Sequence, residues 1–76
     1  MNTKRAEKAY QMMVSAPGFP EIQVFLVDGI SDVAAERRLR LDLKLPPNAI
    51  VALQRSASSH DIERANLMSG GVVRIR

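Results

Sequence analysis

No cysteine occurs in the 76 residues, and there is no tryptophan and only one histidine. The first absence excludes disulfides, thiolate catalysis and cysteine-held zinc or iron–sulfur sites. The single histidine leaves too few imidazoles for a histidine-rich metal site. Aromatics make up 4% of the chain, two phenylalanines and one tyrosine, too few for a platform on which nucleic-acid bases stack. No apolar run approaches the roughly 20 residues of a membrane-spanning helix. Glu7 and Lys8 stand where the apolar centre of an export signal would lie, so the expected location is cytoplasmic.

What is present is ordinary for a folded chain: 46% hydrophobic, 25% charged, with a net charge of +3. The length fits one domain over 1–76. A domain this small buries only about 60% of the surface its unfolded chain exposes, so association into a homodimer is an expected way to gain burial. The stretch 28–45 is neutral, because Arg37, Arg38, Arg40 and Lys44 are interleaved with acids. The basic excess lies before and after it.

Breakers divide the chain at Pro17-Gly18-Phe19-Pro20, Asp28-Gly29, Pro46-Pro47-Asn48, Ser56 to Ser59 and Ser69-Gly70-Gly71. Residues 3–15 predict an amphipathic helix, with Ala6, Ala9, Tyr10 and Met13 at helical spacing and Asn2 or Thr3 as cap. Residues 21–27 are β-branched, aromatic and almost continuously apolar, and predict a central strand. Ser31 opens a short helix over 31–37. Arg38-Leu39-Arg40-Leu41-Asp42-Leu43-Lys44-Leu45 alternates strictly, which predicts a strand over 38–45 with four leucines on one face, against a rival reading of one helix from 31 to 45. Under the strand reading Leu41→Lys destabilises strongly and Arg40→Glu does little. Residues 49–54 predict a second central strand, joined to the previous one by a Pro-Pro-Asn turn. A helix over 58–69, capped by Ser58 or Ser59, and a strand over 72–76 follow.

The resulting order after the first helix is βαββαβ. This is the ferredoxin-like α+β arrangement, an antiparallel four-stranded sheet, here within 21–76 and preceded by the N-terminal helix. That fold places the first and third strands centrally, which are the two continuously apolar runs. It places the arginine-bearing strands at the edges, where charge discourages aggregation. It also carries its helices on one face and leaves the other to be covered.

The run Val24-Phe25-Leu26-Val27-Asp28-Gly29-Ile30 resembles the first-strand signature of the RNA-recognition motif, in which Phe25 would stack a base. The run 49–53 has no aromatic to complete such a platform, and Phe25 is read as core. His60, with Asp61 and Glu63, does not make a nucleophile–base–acid set, and Gly70-Gly71 precedes a strand and is no phosphate loop. The residues therefore point to no enzyme, no metal and no cofactor. The function expected is a protein-interaction module that acts by occupying a partner's surface. Small inhibitors of host machinery carried by phages or mobile elements, anti-CRISPR proteins among them, are of that kind. The partner-contacting residues expected are Arg37, Arg38, Arg40 and Lys44, with Arg74 and Arg76. The alternative is a nucleic-acid-binding module whose basic edge strand contacts phosphates.

Overall fold

A computed structural model describes residues 4–76. Its elements are β1 (Ala9–Ser15), β2 (Gln23–Asp28), α1 (Asp32–Asp42), β3 (Ile50–Ser56), α2 (Ser59–Ala65) and β4 (Val72–Arg74). The four strands form one sheet in the order β3-β1-β2-β4, every neighbouring pair antiparallel. The protein is a small α+β domain, ββαβαβ in order, and not the ferredoxin-like arrangement.

The N-terminal helix expected over 3–15 is replaced by a central strand, and its capping residues Asn2 and Thr3 lie outside the described residues. Residues 9–15 satisfy two periods at once. Read in steps of two, Tyr10, Met12 and Val14 fall on one face. The register pairs them with Val27, Phe25 and Gln23 of β2. Met12 and Val14 are fully buried. A strand flanked on both sides gains ladder hydrogen bonds and two packed faces, and this outweighs the mild helix preference of Ala, Met and Gln.

The stretch 38–45 is corrected in the opposite sense. Ser31 caps α1, its Oγ accepting from the Ala34 N–H at 3.1 Å, and the helix runs on through Asp42. Ala35, Leu39 and Leu43 recur at intervals of four and turn toward the sheet, where Ala35 and Leu39 are wholly buried. Leu45, just past the helix, packs on the same cluster. Three of the four alternating leucines thus reach the core, Leu39 from within the helix, Leu43 at its C-cap and Leu45 just beyond, and only Leu41 is left outside, 72% exposed. The predicted inward role of Leu41 is therefore withdrawn. Arg40 is the better-anchored neighbour, donating to Glu36 at 3.0 Å and to the Ala49 carbonyl at 3.2 Å.

The helix ends in a hydrogen-bonded reversal. The Lys44 N–H donates to the Leu41 carbonyl at 3.2 Å and the Leu45 N–H to the Arg40 carbonyl at 3.0 Å. Lys44 takes the left-handed conformation, φ 52°, that glycine normally supplies there. With no glycine at the position, the sequence carries no stop signal before Pro46, and a helix of this length is not marked out.

Phe25 and Val27 face α1 together with Met12, Val14 and Leu39, while Leu26 faces the other way, into a second cluster of Ala6, Ala9, Ile62 and Leu67. The two helices therefore lie on opposite faces of the sheet. This differs from the one-sided arrangement expected and explains the apolar run of β2, which is covered on both sides. The run 49–54 is a strand, as read, but it lies at an edge. Its place beside β2 is taken by β1. Helix 58–69 is shorter than read and ends at Ala65. Asn66 then turns left-handed at φ 53°, and the segment beyond returns to pair with the N-terminal stretch: Ala6 N–H to Leu67 carbonyl at 3.0 Å, Ser69 N–H to Lys4 carbonyl at 2.7 Å.

Among the described residues, no helix is long and apolar enough to cross a membrane.

Candidate docking site

The outer side of α1 holds two of the six residues expected to contact a partner, Arg37 and Arg38. At 100° per residue, Val33, Arg37 and Leu41 follow one another on a single stripe, away from the Ala35–Leu39 stripe that meets the sheet. Val33 is 64% exposed and Leu41 72%, with Arg37 exposed between them. Ile30, in the loop that leads into the helix, is 85% exposed. Apolar side chains of this size do not stay in water for the sake of packing, since the sheet side of α1 is already filled.

A shallow trough of about 550 Å³ lies beside the Arg37–Leu41 end of this stripe, lined by Ala34, Arg37, Arg38, Leu41, Asp42 and Gly70. Arg38 Nε is shielded from water and has no hydrogen-bond partner among the described residues. A buried N–H without an acceptor costs about 1–3 kcal/mol, and because this nitrogen is shielded, a docked partner reaches it only if the side chain shifts. Neither Arg37 nor Arg38 has an acidic partner within salt-bridge distance among the described residues, which hold only the pairs Arg40–Glu36 and Arg55–Asp61.

The other expected contact residues are dispersed. Arg38, Arg40 and Lys44 do not share a face as they would on a strand. Arg40 is turned toward Glu36 and Ala49, and Lys44 lies beyond the helix in the reversal. Arg74 is on β4, its Nε donating to the Arg76 carbonyl at 3.0 Å. The structure brings Arg37 and Arg38 into one site and leaves Arg40, Lys44, Arg74 and Arg76 outside it. The apolar members, Ile30, Val33 and Leu41, were not singled out as contacts from the sequence. Helical spacing of Val33 and Leu41 was the available signal, obscured by the alternation of residues 38–45.

A second concavity, about 530 Å³, lies on the opposite face beside α2 and is lined in part by Leu26, Arg55, Asp61, Arg64 and Ile75. Its chief feature is structural. Arg55 of β3 donates to Asp61 at 2.9 Å, and Asp61 also accepts from the Ser58 N–H and hydroxyl, closing the capping box of α2. The Arg55 bond first, and then those from Ser58, hold the Asp61 carboxyl well below the usual carboxylate range. A depressed folded value means the contribution is present in full above the ordinary carboxylate range, begins to fade as pH enters that range, and is lost as pH falls on through the depressed folded value. The melting temperature of Asp61→Asn is accordingly expected to lie below that of the wild type at neutral pH, with the gap narrowing between about pH 5 and 2. Thermal melts by circular dichroism across that range check this, and a gap that is constant with pH would assign the effect to lost packing instead.

His60 is exposed at the start of α2, and Phe25 is buried at 4% exposure and belongs to the core, so no base can stack on it. Among the described residues no group of three or more histidines or carboxylates is placed to hold a metal ion. No protein-family model, curated protein or solved structure matches this chain.

Proposed function

We propose that this chain is a non-enzymatic protein-interaction module that docks onto a partner through the outer face of α1. The observation that carries the reading is the stripe of Val33 and Leu41, both well exposed, on either side of the unpaired Arg37. Apolar anchors beside free guanidiniums fit a partner surface that offers apolar pockets rimmed by carboxylates. Arg37 and Arg38 would meet those carboxylates, and Val33 and Leu41 would supply the buried contact. Binding alone, by covering a surface the partner uses for something else, is the mode of action this reading implies.

The test is affinity capture from nuclease-treated lysate at low and moderate salt, with wild-type chain and a Val33→Asp/Leu41→Asp variant in parallel. Both positions are exposed, so each substitution is expected to change stability by no more than about 0.5 kcal/mol. The expected outcome is a stoichiometric protein that the wild type retains at moderate salt and the variant loses. Equal capture by both chains overturns the site. Recovery of nucleic acid alone from untreated lysate, lost as salt rises, overturns the reading in favour of phosphate contacts by the arginines.

A further inference from the structure

The two edges of the sheet are built differently. β4 is three residues long and ends in Arg74, with Arg76 close behind. Short length and charge are the usual protections of an edge strand. β3 is seven residues long, Ile-Val-Ala-Leu-Gln-Arg-Ser, with no proline, lysine or acidic residue. Its one charge, Arg55, is already held by Asp61 at 2.9 Å. Ile50 is 63% exposed and Leu53 48%. The first lies on the α2 side of the sheet and the second on the α1 side, as their register with Ser15 and Met12 shows. α1 packs over β1, β2 and β4, and α2 packs near Ala9 and Leu26. β3 is covered less fully than β1 or β2: Val51 packs against the α1-side cluster and Arg55 reaches Asp61 of α2, while Ile50 and Leu53 stand exposed on either face beside the open edge.

The register also says which backbone groups are free. Gly29 N–H donates to the Lys8 carbonyl at 3.2 Å, and Ala57 N–H to the Ala9 carbonyl at 2.9 Å. Counting alternately from these along β1, residues Tyr10, Met12 and Val14 bond toward β2, while Ala9, Gln11, Met13 and Ser15 bond toward β3. Val51 and Leu53 stand opposite Val14 and Met12. Their N–H and C=O groups therefore point outward from the sheet. The register shift between Gln11 and Met12, which leaves Gln54 unpaired, bounds this free stretch at its C-terminal end.

We propose that this edge pairs with the same edge of a second copy of the chain, antiparallel, about a two-fold axis through Ala52. That register sets Val51 against Leu53 of the second copy on the α1 side, and Ala52 against its own equivalent on the other. It places Arg55 opposite Ala49 of the second copy, so no like charges face each other despite the net charge of +3 on each chain. Only an identical strand is certain to match this apolar pattern in register and in length. A short edge lies at the small end of stable interfaces, so dissociation constants in the micromolar range are expected. The axis stands perpendicular to the sheet, and the two copies of α1 therefore lie on the same side. If α1 docks a partner as proposed above, the dimer presents two docking faces side by side and binds a repeated or symmetric target far more tightly than one copy does.

Sedimentation equilibrium at about 100 µM, a concentration well above such a constant, should give twice the chain mass of 8.4 kDa. Amide exchange followed by NMR should show the Val51 and Leu53 N–H groups protected at that concentration and fast on dilution. Leu53→Lys should weaken the dimer about tenfold or more, since it brings cations together beside the axis. A mass of one chain at that concentration overturns the proposal. So does a dimer whose Val51 and Leu53 amides exchange freely, a readout on the wild type that does not depend on the variant folding. A wild-type dimer that captures no partner protein, or that captures it equally with Val33→Asp/Leu41→Asp in place, would count against the α1 docking face and leave this pairing standing.

Discussion

Leu39→Ala is expected to cost about 2–5 kcal/mol, whereas Leu41→Ala, two residues along, should stay within about 0.5 kcal/mol of the wild type. Leu39 is fully buried and touches the cluster built from Met12, Val14, Phe25 and Val27, and Leu41 stands in water at 72% exposure. Removing Leu39 leaves a cavity that the sheet cannot close, because its walls are strands fixed by ladder hydrogen bonds. Total stability at this size is roughly 4–11 kcal/mol, so the change takes a large share of it. Urea denaturation of the two variants reads the contrast directly. On a strand both leucines would point inward and both variants would unfold early. Equal losses would therefore disprove the helix over this stretch.

Gly29→Ala should cost about 1–3 kcal/mol. Gly29 joins β2 to the loop before α1, and its backbone is not in a left-handed conformation. The constraint is space. A Cβ at Gly29 would lie 2.8 Å from the Ala35 nitrogen, 2.9 Å from its Cβ and 3.0 Å from its Cα. Helix backbone cannot rotate aside as a side chain can, so α1 must lift off the strand and carry Ala35 and Leu39 with it. Adding Ala35→Gly in the same chain should not restore stability. It removes the Cβ contact but leaves the nearest atom, the nitrogen, in place, and it adds about 1 kcal/mol of helix cost. A double-mutant cycle in urea distinguishes these outcomes. Full rescue by Ala35→Gly would show that the contact is between side chains only.

These two sites also show where a reading of the residues alone succeeds. β2 was legible because a run of Gln-Val-Phe-Leu-Val-Asp suits a strand covered on both faces and little else. The starts of both helices were legible at Ser31 and Ser58, since a capping hydroxyl acts on its own N–H neighbours. Phe25 was rightly assigned to the core. Of the docking site, Arg37 and Arg38 were named beforehand, though for a strand that does not form. The apolar half, Val33 and Leu41, was hidden by that same error.

Local chemistry determined what kind of protein this is: a small α+β chain without thiols, with strands read at 21–27, 49–54 and 72–76 and helices opened by Ser31 and by Ser58 or Ser59. Those features depend on residues a few positions apart, which the chain states outright. Tertiary structure alone decided that 9–15 is a strand, that 38–42 continues a helix, and that β1 rather than β3 lies beside β2. In each case two local patterns were nearly equal in free energy. The balance was tipped by contacts across long separations: Met12 against Phe25 in the sheet, and Leu39 against both. The same choice of strand order turned 50–56 into an exposed edge, because β1 and β4 fill both places beside β2 and leave β3 only the outer side of β1.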